Sequence, residues 1–400
     1  MRKQPVERLV AHDVRRALNL RLHSLTSTTI CKRTLSRRFA SMPESTLQTK
    51  AEGLASSVRT ALGYWESNAA SLSSKILTQY YAAIHFSIGA QIAGPNPAAT
   101  LLDVQRHTEN GHGLATLFSP GADFPKNLHI AALSTGHFHA FCNSASVDLS
   151  AVAFARRPRS WASLTEPERA RLVCLSDLLR RIPELRPVIH PALAEMPLSF
   201  HVGHSSKNMA LAFENTKRGM TRRGLGPATP SLPSFRPDPT SSATRTTYVD
   251  LYTGYGGAED ISLEFLRSLD LPITNWQQHV DEPSQETLYT GEFNHPAANY
   301  WHQYLPIYES SNTGSSLVLP VWGIDDMFLI HFMILYGLSI VVRYLPSLWF
   351  DIDRGPLDHV MALLEQYVAV VEDVLPKMAI EKITGARLKV SLPGSLSAPR

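Results

Sequence analysis

Sixteen histidines stand out in this 400-residue chain, and several are close enough in sequence to share a metal ion. His137-Phe-His139, placed on a strand, would send both imidazoles to one face, because side chains alternate there with period two. His201-Val-Gly-His204 forms a second close pair, and His129 and Cys142 lie near the first. Zinc takes three or four such ligands. None of these spacings matches a metal-binding signature, however, and paired histidines are common in sheets. The sequence therefore predicts no metal and no cofactor. Other chemistries are missing their motifs as well: no GxxxxGK[ST] phosphate loop, no GxGxxG after a strand, no GxSxG elbow and no HExxH. The glycine cluster GYGGAED at residues 254–260 lacks a following lysine and reads as a turn rather than an anion cradle.

The elements that must position any such residues are mainly helical in pattern. Leu54, Val58, Leu62 and Trp65 keep one face, and Leu72, Ile76, Tyr80, Ala83 and Ile84 keep another, up to Gly94-Pro95. Thr165-Glu-Pro-Glu168 is a capping-box pattern opening a helix through Leu179. Residues 327–342 (MFLIHFMILYGLSIVV) are apolar but too short for the roughly 20 residues of a membrane span, so a buried core helix is predicted. Val360, Leu363, Leu364, Tyr367, Val370, Val371 and Val374 make the stripe of a last helix. One or two strands are expected within 127–147. The predicted fold class is mostly α, a helical bundle with a small β-containing insertion. The expected organisation is a basic arm (1–43), a first helical part (44–215), an Arg/Pro/Ser-rich loop (216–247), a small α/β segment (248–325), C-terminal helices completing the core (326–390) and a tail (391–400).

Charge divides unevenly along that organisation. The formal net charge is +3, yet the first 40 residues alone carry +8, which leaves −5 for the rest. Bulk electrostatics thus exclude polyanion binding by the body and confine it to the arm or to a local site. Residues 19–40 hold no acid and are rich in Arg, Ser and Thr, the composition of an organelle-import signal. Against that, Val6, Leu9, Val10, Val14, Ala17 and Leu18 recur at helical spacing, which reads as an N-terminal helix. On either reading the arm is expected to be separable from the fold. In the 216–247 loop, Lys217, Arg218, Arg222 and Arg223 are candidate polyanion contacts. Three scattered cysteines with no CxxC pair fit a reducing compartment, and no apolar signal segment precedes a cleavage site. The expected location is cytoplasmic, with organelle import through the N-terminus as the alternative.

Several blocks resemble the YaaC-like proteins of bacteria: residues 73–91 (SSKILTQYYAAIHFSIGAQ), NGHGL at 110–114, residues 163–185 and residues 333–349 (MILYGLSIVVRYLPSLW). The resemblance covers about residues 44–380 and leaves out the basic arm. Its helical core also looks like HEPN domains, and that likeness implies RNA or nucleotide binding, with metal-independent ribonuclease chemistry in defence or stress. Such chemistry asks for an Arg and a His with four to six residues between them: a fixed cation near the phosphate, and an imidazole to move the 2′-hydroxyl proton. Arg106–His112 is the first choice, Arg354–His359 the second, and Arg16–His23 lies in the arm. Composition alone supplies about three such matches, so spacing does not decide among them. The competing function is a non-enzymatic scaffold or regulatory subunit that recruits a protein partner. A homodimer suits either reading.

Overall fold

The structure, a computed structural model, describes residues 5–204, 240–252, 261–280, 287–310 and 314–391. Lys217, Arg218, Arg222, Arg223 and the 254–260 glycine cluster lie outside the described residues. The chain forms two compact units, one of residues 1–179 with 321–400 and one of residues 180–320.

In the first unit, α3 (Glu44–Trp65) and α4 (Leu72–Ile92) form a hairpin, and the Ser71 hydroxyl caps α4 by accepting from Ser74 N at 3.2 Å. Ile76, Tyr80, Ala83 and Ser87 fall at helical spacing on α4 and are fully buried. Behind them runs α11 (Met327–Tyr344), the predicted core helix. It is the one helix among the described residues long and apolar enough to cross a membrane, and most of it is buried within the fold. The last long helix, α13 (Asp358–Thr384), continues well past the predicted end at Val374 and through Pro376. An interior proline costs a helix about 3 kcal/mol. Buried Ile380 and Ile383 beyond it offset that, at about 2 kcal/mol or more each.

The N-terminal residues are part of this core. β1 (Val6–Val10) pairs in parallel with β11 (Arg387–Ser391), so the expected helical run from Val6 begins only at Val14. α1 (Val14–Ser24) is capped by Asp13, and α2 (Thr28–Arg38) by Ser27. Leu18, Leu22, Leu25, Cys31 and Leu35 are buried, and some of the positive charges are paired. Arg15 bonds Glu372 and Asp373 on α13. Arg38 Nη1 donates to Ile383 O at 2.5 Å, filling one of the carbonyls that a helix C-terminus leaves unpaired. The N-terminal residues are thus packed into the first unit. Lys50, also buried, donates to the carbonyls of Gly94, Asn96 and Ala99 and ties the loop after α4 to α3; its burial pulls its pKa down to about 8.

The expectation of a mostly helical bundle with a small β insertion does not hold. The chain is a mixture of α and β. The first unit carries a three-stranded antiparallel sheet, β2 (Leu114–Phe118), β3 (Leu128–Ala132) and β4 (Val173–Cys174). The second opens with the short helix α9 (Arg186–Leu193) and is built on six antiparallel strands in the order β7-β8-β6-β5-β10-β9. These are β5 (Ser199–His204), β6 (Thr244–Tyr252), β7 (Ile273–Val280), β8 (Thr287–Pro296), β9 (Ile307–Ser310) and β10 (Gly314–Val318). Alternate residues such as Phe200, Val202, Val249, Leu251, Tyr289 and Phe293 face one core, which α10 (Leu263–Ser268) covers through Leu266.

Two local expectations also change. The 165–179 helix breaks after one turn, α7 (Glu166–Arg169), because Val173 and Cys174 pair with β3 before α8 (Leu175–Leu179) begins. The capping pattern itself is real, with Glu168 accepting from Thr165 N and Oγ1 at 2.8 Å. And His137-Phe-His139 lies on a helix, α6 (His137–Ser144), rather than on a strand.

Leu22 links α1 to this core, so Leu22→Ala should cost about 2–5 kcal/mol in urea unfolding. Removing residues 1–40 should leave a chain without a cooperative transition. A truncated protein that unfolds cooperatively with the stability of the whole would refute the integral reading of the N-terminus.

Candidate functional site

The NGHGL segment follows α5 (Leu101–Glu109) and turns on two glycines in the left-handed region, Gly111 (φ 86°) and Gly113 (φ 76°). α6 starts at Gly136 (φ 98°) without a side-chain cap. Its first N–H groups are satisfied by this loop instead: His137 N donates to Gly111 O at 3.0 Å, and Phe138 N to His112 O at 2.9 Å. The approach needs bare backbone on both sides. A Cβ at Gly136 would sit 2.6 Å from Gly113 N, and one at Gly113 would sit 2.8 Å from Phe138 N.

That contact delivers two histidines to α4, with different outcomes. His137 is buried, its Nε2 2.6 Å from Ser87 Oγ. The Ser87 hydroxyl donates to Ile84 O, so it receives the imidazole N–H and is not activated as a nucleophile. Burial drives the His137 pKa down to about 3, with nearby His112, His85 and His107 adding to the effect. His112 is half-buried, its Nδ1 3.0 Å from Tyr80 Oη, and it packs against the Tyr80 and Tyr336 rings. Desolvation first, and Arg343 second, lower its pKa, so it is neutral at physiological pH.

Arg343 completes the group from the end of α11. Its Nε and Nη2 bond Ser339 O and Oγ, and Nη1 lies 3.5 Å from Tyr81 Oη. The guanidinium stands 5.9 Å from the Tyr80 ring centroid and 5.0 Å from that of exposed Tyr344. Among the described residues no carboxylate forms an ion pair with it. Alongside, Tyr64 stacks on Tyr81 at 5.2 Å and on His85 at 5.8 Å, giving a partly exposed run of rings. The arrangement offers unspent guanidinium N–H groups, a neutral imidazole and stacking surfaces.

Of the residues singled out in the sequence, His112 reaches this group and Arg106 is exposed on α5. Arg354 is exposed at the end of α12 (Pro346–Arg354) beside Asp353, and His359 is exposed on the first turn of α13. Arg16 is exposed, while His23 pairs with Glu66 at 2.7 Å. His129 bonds Ser119 and packs on Trp161, and His201 belongs to the other unit. Among the described residues no three His, Cys, Asp or Glu side chains are grouped to hold a metal. Tyr80, Tyr81 and Tyr336 read as core in the sequence, and Arg343 as the charged boundary of the apolar run. One signal was available: Tyr336 and Arg343 are seven residues apart, hence on one face of α11, in a run otherwise without charge.

A family model described as YaaC-like Protein matches residues 23–383. The chain belongs to the YaaC-like family. The match begins earlier than residue 44, so α2 lies within the family span, as do Tyr80, Tyr81, His112, Tyr336 and Arg343 of this YaaC-like chain. No curated protein and no solved structure matched it.

Gly136→Ala should lower stability by more than an ordinary loop change, at least about 2 kcal/mol, since both its φ and the Gly113 backbone oppose a methyl group. Equal urea midpoints for variant and parent would refute the contact. A pH dependence follows from the buried imidazoles. His137 and His331 are both held neutral with pKa values near 3, whereas unfolded histidine takes up a proton near 6.5. The unfolded state binds more protons below that value, so this stability is complete above pH 7 and falls with pH, by about 2 kcal/mol per histidine between pH 7 and pH 5. His331→Met should flatten the profile by one histidine's share. An unchanged slope in that variant would count against burial of a neutral ring.

Proposed function

We propose that this YaaC-like protein binds a phosphate-bearing ligand of the nucleotide class, as a mononucleotide or a stretch of single-stranded RNA, at the Arg343–His112 group. The observation that carries the reading is Arg343, a half-buried guanidinium with no carboxylate partner among the described residues and with aromatic rings around it. A planar guanidinium with spare donors suits phosphate oxygens, and base rings stack on tyrosine and histidine faces. The Tyr64–Tyr81–His85 run supplies such faces next to Tyr80.

His112 favours binding over proton transfer. Burial holds the Tyr80 phenol protonated, so its O–H serves as donor to His112 Nδ1. Assigned from that bond, the neutral ring carries its own proton on Nε2 and presents an N–H to an anion. RNA cleavage by Arg106 and His112 would need the other tautomer, with Nε2 free to act as a base, together with a guanidinium that the chain leaves exposed on α5.

Titration of the full chain with mononucleotides and with a short labelled single-stranded RNA, at low and moderate salt, tests this. Binding should weaken at least tenfold in Arg343→Met and severalfold in His112→Gln, and should fall with salt. Intact RNA should be recovered from the same samples. Absence of binding in the parent protein, or binding indifferent to Arg343→Met, would overturn the proposal. Cleavage lost in both Arg106→Ala and His112→Ala would replace it with the ribonuclease chemistry of that pair.

A further inference from the structure

Two exposed aromatic faces flank the Arg343 guanidinium, and they come from different elements. Tyr64, in the last turn of α3, is 36% exposed and stacks at 5.2 Å on Tyr81 of α4. The Tyr81 hydroxyl lies 3.5 Å from Arg343 Nη1. Tyr344, the last residue of α11, is 64% exposed, and its ring centroid is 5.0 Å from the guanidinium carbon. Among the described residues no other ring packs against Tyr344, so its outer face is open.

The donors between these faces can be counted. A guanidinium has five N–H groups. Nε and Nη2 each spend one on Ser339, and Nη1 spends one on Tyr81. One N–H remains on each terminal nitrogen. A phosphodiester offers two non-bridging oxygens to such a fork. In a single strand the bases on either side of that phosphate splay apart and stack on protein rings.

We infer, resting on the nucleotide-binding reading above, that the ligand is a base–phosphodiester–base unit of single-stranded RNA. Its phosphate sits on Arg343, one base on the Tyr64–Tyr81 stack and the neighbouring base on Tyr344. A mononucleotide has one base and leaves one of the two faces bare. A dinucleotide unit fills both with a single phosphate between them, which is the number of guanidinium groups the two faces share.

Calorimetric titration of the full chain with adenosine 5′-monophosphate and with the dinucleoside monophosphate ApA is the test. The diester carries less negative charge than the monoester, so tighter binding of ApA reports the second base rather than electrostatics. ApA should bind about tenfold more tightly than the mononucleotide, the gain of one more stacked base. Tyr344→Ala should bring the ratio of the two affinities close to one, and Tyr344→Phe, which keeps the ring, should preserve it. Tyr64→Ala should also bring the ratio close to one. Circular dichroism establishes folding first, and if the Tyr64 variant fails to fold, the more exposed Tyr344 decides alone. Equal affinity for the two ligands, or a ratio unmoved by Tyr344→Ala, would overturn the inference and leave mononucleotide binding at Arg343 standing. Binding of neither ligand would overturn both.

Discussion

The first unit depends on a contact between two stretches of bare backbone, Gly113 and Gly136. A helix start leaves N–H groups unpaired, and α6 has no side chain to satisfy them. The carbonyls of Gly111 and His112 do so, which locks the NGHGL turn against the helix. Gly113 O then accepts from Leu133 N at the end of β3, and Leu114 opens β2 directly after the turn. Helix, turn and sheet are thus joined at one point. From there Leu114 O accepts the Tyr336 hydroxyl, so α11 is referenced to the same junction. His112 owes its place among Tyr80, Tyr336 and Arg343 to this geometry together with its bond to Tyr80.

Charge follows a related logic. The excess of +8 at the N-terminus has the composition of a polyanion-binding arm, but Arg15, Arg21, Lys32 and Arg38 are spent on the fold. Arg15 and Lys75 converge on the acids of α13, Arg21 pairs with Glu7, Lys32 with Glu44, and Arg38 serves a helix end. The −5 of the remaining chain is in part the complement of that arm. Most of these pairs are exposed and individually contribute under about 1 kcal/mol, so they specify docking of α1 and α2 more than they stabilise it. Buried leucines do the stabilising. Arg343 stands apart because, in the last turn of α11, it bonds Ser339 but pairs with no carboxylate among the described residues.

What is legible in the sequence follows from which interactions are local. The α3–α4 hairpin and α11 are readable because their apolar residues repeat every three or four positions within one element. The extent of the second unit's sheet is not. Strands such as Ile273–Val280 (ITNWQQHV) carry polar residues on the solvent side and gain their stability from partners distant in sequence. α6 reads as a strand because His-Phe-His alternates in polarity, while the feature that makes it a helix, the NGHGL carbonyls, lies more than twenty residues earlier. The same holds for the 165–179 segment, where pairing of Val173 with Ile130 overrides a sound helix-start signal. At the candidate site one residue, His112, is singled out in advance, for its spacing from Arg106 rather than for the turn its glycine neighbours make. Tyr80 and Arg343 are not, because an aromatic or a single cation on an apolar helix reads as core or helix end until the partner helix is in place.

The two ends of the His112 ring also bear on how a spacing rule should be used. Arg106 and His112 satisfy the required separation, but positions six apart on an α-helix lie about 120° from each other around its axis, so spacing alone does not bring them together. The helix moreover ends at Glu109, and Gly111 reverses the chain, so the pair is divided by the very turn that fixes His112. The cation that does reach His112 comes from Arg343, more than two hundred residues away, and adds to the lowering of the imidazole pKa that burial chiefly causes. A guanidinium that depresses the basicity of its neighbouring histidine is a poor companion for a general base and a good one for a neutral N–H donor. Electrostatics and hydrogen bonding therefore agree on the same protonation state, and that state suits holding an anion rather than drawing off its proton.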